Sequence, residues 1–309
     1  MNFYRHLVSA TVCWIALSAW LLRFSAPAAT NTFVALPPGS LAYHLATNAV
    51  GRAAPSTGSY DDLLEVHAPF SVKFDRFFAP QWSSTFWLKG VHGLTATPIG
   101  FSNVMNGQGL PTMVSPRHYL CATHMHPEGY LIGFLDVDNQ VHWRKTVQRV
   151  DVSNDTSVGL LNADLPPGVG FLPVLPANYT NYLPANLPST PGGVVQGIGM
   201  NQDLCLFSQP MNLAWFDFVS WHPGRQIPSG LPTNWSVTLR AGDSSNPEML
   251  LIGNQLVLVS HNYTADGGPN YATQISFINR AMHLLSTNQQ VATDYQLTEF
   301  PLTNWPVLH

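Results

Sequence analysis

Hydrophobic residues along this chain occur mostly in short runs, and Pro, Gly, Asn and Asp stand between the runs. Short apolar runs bounded by turn-forming residues are typical of β-strands. The sequence Asp138-Asn139 lies between two of these runs and predicts a hairpin turn. The predicted strands are STFWLKGV, HYLCATH, GYLIGFLDV, HWRKTVQRVDV, TSVGLLN, GVVQGIGM, LCLFSQ, AWFDFVSW, SVTLR, EMLLIG and QLVLVSHN.

One segment near the C-terminus has helical spacing instead. In residues 275–286, Ile275, Ile278, Met282 and Leu285 fall on one face of a helix. A proline-rich stretch, residues 165–193, separates the two groups of strands and predicts a connection between two halves. The 25 Pro and 23 Gly are spread along the chain and favour many turns. The pattern therefore predicts an all-β domain followed by one C-terminal helix.

The N-terminus has the features of an export signal. Arg5 and His6 precede an uncharged apolar run from Leu7 to Leu22, and small residues follow up to residue 29. A charged start, an apolar middle and an Ala-rich end are typical of a secretory signal peptide. We therefore predict a signal peptide at 1–29 and a mature protein that is secreted, periplasmic or in the cell envelope, with no membrane contact after cleavage. An uncleaved N-terminal anchor is the alternative.

Composition limits the class of protein further. The chain has 309 residues, of which only 10% are charged, and a formal net charge of −4. So few charges argue against a disordered protein or a coiled coil. No Lys/Arg cluster exceeds two adjacent residues, so we expect no nucleic-acid partner. Residues 30–84, rich in Ala, Pro, Thr, Ser and Gly in their first half, predict a linker or pro-segment with little regular structure.

Three cysteines are too few for a disulfide framework. Cys13 lies in the predicted signal and would leave with it. Cys121 and Cys205 would either pair with each other or remain as two free buried thiols. We expect the hydrophobic core, and not disulfides, to hold the fold together.

Ser244, in the stretch GDSSNP, is a candidate nucleophile. A serine hydroxyl needs an adjacent base, an acid that orients the base, and donors for the oxyanion. The backbone N–H groups of Gly242 and Ser244 could supply these donors if the turn is tight, because Gly242 can adopt a positive φ. A surface loop capped by Asp and Ser is the alternative interpretation.

His124 is the candidate base, since it follows the apolar run YLCA at a predicted strand end. His126 lies two residues further, and such a pair could begin a zinc site of a metal-dependent hydrolase. No third ligand stands at a recognised spacing, so we assign neither a metal nor a cofactor. A purely structural histidine is the remaining possibility.

Asp155 is the candidate orienting acid. It precedes the apolar strand from Val158 to Leu161, whose start could lie beside the strand that ends at His124. Asp151 is its rival, and either carboxylate could instead make only local hydrogen bonds.

The order His, Asp, Ser and five short motifs together resemble the trypsin-like (chymotrypsin-fold) serine proteases. YLCATH is similar to the family's Val-Leu-Thr-Ala-Ala-His, and AGDSSNP to its Gly-Asp-Ser-Gly-Gly-Pro. NDTSVGLL resembles the family's strand that begins Asp-Ile-Ala-Leu-Leu. LVLVSHN resembles its substrate-pairing strand, and GGPNYATQISFINRAM resembles the stretch that enters its C-terminal helix. The resemblance covers residues 85–286. It implies a Ser-His-Asp triad of His124, Asp155 and Ser244, with oxyanion donors at Gly242 and Ser244.

The resemblance also implies an architecture and a substrate. We expect two six-stranded Greek-key β-barrels, one at about 85–170 and one at about 190–275, then the helix at 275–286 and a tail at 287–309. The implied function is a secreted serine endopeptidase that acts on a peptide or protein. Thr238, Ser260 and His261 are the implied substrate-binding residues, and Thr238 in place of an acid predicts no preference for Arg or Lys.

Several positions depart from the family pattern. Ser245-Asn246 replaces Gly-Gly after the nucleophile, and His261-Asn262 replaces Trp-Gly. Strict alignment places Ser157, and not Asp155, at the acid position. No clear apolar start of the activation type exists, so we expect Asp243 to contact something other than a new N-terminus. These departures keep a second hypothesis open, a catalytically inactive relative that serves as a binding module.

Overall fold

Six strands form the first of two antiparallel sheets, in the order β1-β4-β5-β6-β3-β2. Its strands are β1 (Gly100–Phe101), β2 (Thr112–Met113), β3 (His118–Ala122), β4 (Leu131–Leu135), β5 (Val141–Ser153) and β6 (Thr156–Leu161). The computed structural model describes residues 36–52, 67–71, 79–102, 109–127, 129–184, 194–212, 217–218, 241–263 and 268–309. The predicted signal peptide lies outside these residues.

The long strand β5 connects the two parts of this first sheet. Its beginning pairs with β4, and its end pairs with β6. The loop Asp136–Gln140 joins β4 to β5, with Asn139 at φ 61°, so the predicted hairpin at Asp138-Asn139 is confirmed. Strand β3 lies on the other side of β6, and all five of its residues are buried.

The second sheet has five strands within the described residues, in the order β11-β10-β7-β8-β9. They are β7 (Val194–Met200), β8 (Leu206–Asn212), β9 (Asp217–Phe218), β10 (Pro247–Ile252) and β11 (Gln255–His261). Gly253, at φ 62°, and Asn254 form the turn between β10 and β11. The prediction of a mostly β protein is therefore confirmed, with one of the two sheets curled into a half-barrel. Strand pairing in the described residues does not by itself close two six-stranded barrels.

Two α-helices accompany the sheets in the described residues: α1 (Leu41–Arg52) and α2 (Ile275–Asn288). Helix α2 confirms the predicted C-terminal helix and ends two residues beyond it, with Ile278, Met282 and Leu285 buried on the expected face. Helix α1 lies in the segment for which the sequence predicts little regular structure. None of the helices in the described ranges is long and apolar enough to cross a membrane.

The predicted strand STFWLKGV is wrong, because this segment forms turns. Lys89 N–H donates to the Phe86 carbonyl, Val91 N–H donates to the Leu88 carbonyl, and Gly90 has φ 80°. Its apolar residues Phe86, Leu88 and Val91 are nevertheless buried. Burial, and not strand pairing, explains the apolar run.

The hydrophobic core has two parts. A large cluster joins the two sheets and α2, and a smaller one lies beneath α1 against the second sheet. The tail packs onto both clusters through the buried residues Leu297 and Leu302, and its backbone pairs with Val174. Cys121 and Cys205 are buried free thiols, so the core holds this fold without pairing them.

Candidate active site

His124 stands where β3 leaves the first sheet. The strand ends at Ala122, and a single 3₁₀ turn, Thr123–Met125, follows it. Because the strand is buried and the turn reaches the surface, His124 is half-exposed with its ring accessible. A buried strand thus fixes the backbone of a histidine whose side chain can meet a ligand.

Asp155 is placed by the β5–β6 hairpin. Ser153 pairs with Thr156, which leaves Asn154 and Asp155 as a two-residue loop. Both have positive φ, at 46° and 57°, as a type I′ turn requires. Asn and Asp tolerate this conformation better than other non-glycine residues. Since Ala122 pairs with Thr156, this turn lies directly beside the end of β3.

Two hydrogen bonds join His124 to Asp155, and a third joins Asp155 to the residue before His124. The His124 ring Nδ1 lies 2.6 Å from Asp155 Oδ2, and its backbone N–H donates to Asp155 Oδ1 at 3.2 Å. The Thr123 N–H donates to the Asp155 carbonyl at 2.8 Å. A carboxylate at Nδ1 favours the tautomer with its proton there, which leaves Nε2 free to accept a proton.

The rival carboxylate, Asp151, makes different contacts. Its Oδ1 accepts a hydrogen bond from Ser157 Oγ at 2.6 Å and pairs with Arg149 at 3.2 Å. Ser157 Oγ also lies 2.9 Å from Thr123 Oγ1, and Arg149 donates to the Thr123 carbonyl. Asp151 and Ser157 therefore support the turn that carries His124, while Asp155 contacts His124 itself.

Ser244 lies in the turn before β10, which we call the serine turn (residues 242–246). Gly242 has φ 102°, as the sequence predicts. Asp243 is buried, and its Oδ1 accepts a hydrogen bond from the Gln202 N–H at 2.6 Å, so it contacts the β7–β8 connection. Within the described part of the chain, the N–H groups of Gly242 and Ser244 donate no hydrogen bond to another residue.

Contacts from both sheets hold the serine turn. Ser245 Oγ accepts a hydrogen bond from the Ala122 N–H at 2.6 Å, and Ser245 N–H donates to the Asn262 carbonyl at 2.7 Å. Asn246 Oδ1 accepts from the Leu110 N–H at 3.2 Å. The sequence gives no sign of these partners, because each is far away along the chain.

These contacts bring the serine turn to the end of β3. Ser244 is adjacent to Ser245, and Ser245 is bonded to the residue two positions before His124. No hydrogen bond joins Ser244 to His124 within the described residues. Catalytic hydrogen bonds are often long or absent in unliganded enzymes and form in the complex with substrate.

The implied substrate-binding residues have different positions. Thr238 lies outside the described residues. Ser260 and His261 are buried in β11, where they pair with β10. The His261 ring Nδ1 forms a short hydrogen bond with the Tyr271 hydroxyl, a partner that the sequence analysis does not identify.

His261 also belongs to the electrostatic surroundings of the pair. Burial lowers the pKa of His261 to about 3. A hydrogen bond to the backbone of Asp155 raises this pKa, and the charge of the nearby His124 lowers it further. His261 is therefore neutral at pH 7 and lies close to both Asp155 and His124.

The described residues contain no group of three or more His, Cys, Asp or Glu side chains placed to hold a metal ion. Comparison of the chain with models of known protein families and with curated proteins gave no match.

Proposed function

We propose that this protein is a serine endopeptidase whose triad is Ser244, His124 and Asp155. The observation that carries the proposal is the 2.6 Å contact between His124 Nδ1 and Asp155 Oδ2, beside the serine turn. A half-exposed imidazole that a carboxylate orients, close to a serine in a glycine-containing turn, is the arrangement of parts that acyl transfer requires.

In this proposal, His124 Nε2 takes the proton of the Ser244 hydroxyl as Oγ attacks a peptide carbonyl. Asp155 keeps the imidazole in the required tautomer and stabilises the imidazolium. The N–H groups of Gly242 and Ser244 bind the oxyanion, each donor contributing about 3 kcal/mol to lowering the barrier. The imidazolium then protonates the leaving amine, and water hydrolyses the acyl-enzyme by the same steps.

The proposal includes an architecture and a location. The two sheets, at residues 100–161 and 194–261, would be the counterparts of the two barrels of a trypsin-like fold. Their sequence ranges agree with those that the resemblance implies. The substrate would be a peptide or protein that binds near β11, with contacts from the backbone, since the side chains of Ser260 and His261 are buried. Export by the signal at 1–29 belongs to the same proposal.

The second candidate function is that of an inactive relative that binds proteins without cleaving them. The absence of a Ser244–His124 hydrogen bond in the described residues favours it. Ser245 and Asn246 also fill space that two glycines would leave open. In this candidate the His124–Asp155 pair would be a retained structural contact.

A fluorophosphonate probe separates the two candidates, because it reacts with a serine hydroxyl only in an assembled site. We expect the wild type to be labelled and Ser244→Ala to be unlabelled. Ser208→Ala is the matched control, because it removes a buried hydroxyl of β8 that bonds Gln196. Folded wild-type protein that resists labelling would support the inactive relative, and labelling of Ser244→Ala would refute the assignment of the nucleophile.

A further inference from the structure

Ser245 occupies a left-handed backbone conformation that glycine adopts readily and serine adopts rarely. Its φ is 74°, and its side chain is completely buried. Glycine reaches this region without steric cost, whereas a Cβ atom meets the neighbouring backbone. A serine here therefore needs favourable contacts that offset the cost of this conformation, and its hydroxyl supplies one.

That interaction is a hydrogen bond between the two sheets. The Thr123 N–H donates to the carbonyl of Asp155, the residue just before β6, and therefore points from β3 towards β6. Because successive N–H groups of a strand point in opposite directions, the Ala122 N–H points away from β6. Ser245 Oγ accepts it at 2.6 Å. Thus Ser245 satisfies a buried donor at the last residue of the strand that leads to His124.

Other hydrogen bonds hold the serine turn to other parts of the chain. Gln202 bonds Asp243, Gly109 bonds Gly242, and Asn262 bonds Ser245 through its backbone. Of the hydrogen bonds that the described residues make to this turn, the one from Ala122 ends on β3. Loss of the Ser245 hydroxyl would remove this connection to the strand that leads to His124, while the bonds from Gln202, Gly109 and Asn262 do not involve that hydroxyl.

We propose that Ser245 is a positioning residue whose hydroxyl sets the distance between Ser244 and His124. This inference rests on the proposed function. It explains the departure from Gly-Gly at this position, since glycine would fit the backbone but could not accept the Ala122 N–H. The residue acts on the reaction through the serine turn and does not itself contact the reacting atoms.

The test compares Ser245→Gly with Ser245→Ala and with the control Ser208→Ala. The glycine variant removes the hydroxyl and relieves the disfavoured φ, whereas the alanine variant removes the hydroxyl alone. The rate of fluorophosphonate labelling is measured against probe concentration, which separates the maximal rate from the affinity for the probe. Backbone hydrogen exchange at Ala122 and His124 is measured by NMR on the same proteins.

We expect both Ser245 variants to lose about 10-fold or more of the maximal labelling rate, with little change in affinity, because small displacements of reacting groups are costly. Amide exchange at Ala122 and His124 should accelerate in both, and Ser208→Ala should match the wild type. If Ser245→Gly reacts at the wild-type rate, the inference is overturned while the proposed function stands.

A wild type that does not react would defeat the proposed function and leave hydrogen exchange to decide the inference. In that case, faster exchange at both Ala122 and His124 in Ser245→Gly would support the connection between the two turns. Unchanged exchange at His124 would show that the Ser245 hydroxyl has only a local role. That result would overturn the inference that Ser245 positions His124 relative to Ser244.

Discussion

Asp155 contacts the turn of His124 through three of its own atoms, both carboxylate oxygens and the carbonyl. A contact to the ring alone would orient the side chain without holding the backbone that carries it. Here the same carboxylate also fixes the backbone of the histidine, so the ring and the main chain are oriented together. In the proposed mechanism, orientation of this kind would reduce the entropy lost on reaching the transition state.

Asp155→Asn tests this role, with Asp151→Asn as the matched control. We expect Asp155→Asn to lower the labelling rate of Ser244 about 10³-fold or more, because the amide disturbs the tautomer and removes the charge. Asp151 is more than half exposed and bonds Ser157 and Arg149, so its variant should stay within a few-fold of the wild type. Equal losses in the two variants would contradict the assignment of the acid.

Contacts between individual side chains could be predicted from the sequence only where the pairing of two strands brings the residues together. Asp155 could be predicted because it starts a strand that could lie beside the one ending at His124, and β3 and β6 do pair. The hydrogen bonds of Ser245 and Asn246, and the Tyr271 hydroxyl at His261, depend on loops that close over long separations. No local pattern encodes such contacts.

At the scale of elements, the β5–β6 hairpin determines whether Asp155 reaches His124. Its two-residue loop places both central residues in the left-handed region. Register in such hairpins follows from the turn, and a one-residue slip would turn every side chain of β6 to the other face. The position of Asp155 therefore depends on the residue before it.

Asn154→Ala should destabilise the protein by about 1 kcal/mol, because alanine is disfavoured at φ 46°. Asn154→Gly should remain within about 0.5 kcal/mol of the wild type, since glycine adopts this conformation readily. Urea unfolding at pH 7 measures both. An alanine variant as stable as the glycine variant would contradict a left-handed conformation at Asn154.

The elements themselves could be predicted where the apolar pattern was clean. Most strands and helix α2 follow the expected periodicity. Helix α1 was not predicted, because its segment is surrounded by Ala, Pro and Thr and has few large apolar residues. Its Leu41, Ala42, Leu45 and Ala49 are buried at helical spacing, a weaker signal because two of the four are alanines. In the Phe86–Val91 segment a strand was predicted where none exists, because an apolar run can also be buried within turns.

At the scale of the whole molecule, two buried histidines connect the core to the candidate site. His118 on β3 contacts Ser115 and Ser286, which joins the strand to α2. Burial lowers the pKa of His118 to about 4, although the Met282 carbonyl opposes the shift, and it lowers that of His261 to about 3. Both are neutral in the folded protein at pH values where the unfolded chain, with an ordinary pKa of 6.5, begins to bind protons.

Stability should therefore fall as the pH falls from about 6.5 towards 4, because the unfolded state binds more protons in this window. Between pH 7 and pH 5 the loss should be roughly 2 kcal/mol for each histidine. Urea unfolding at the two pH values measures it, and His118→Asn should show a loss smaller by about that amount. Equal stability of the wild type at pH 7 and pH 5 would contradict the assignment of neutral buried imidazoles.

The serine turn is bonded to Gly109, Ala122, Gln202 and Asn262, which come from widely separated parts of the polypeptide. Contacts between such distant residues cannot exist until the intervening loops have closed, and they form late in folding. A chain still emerging from the ribosome, before residue 262 is available, would lack part of this support. The serine turn would thus be among the last parts of the molecule to reach its final conformation, and any site that depends on it would be assembled only then.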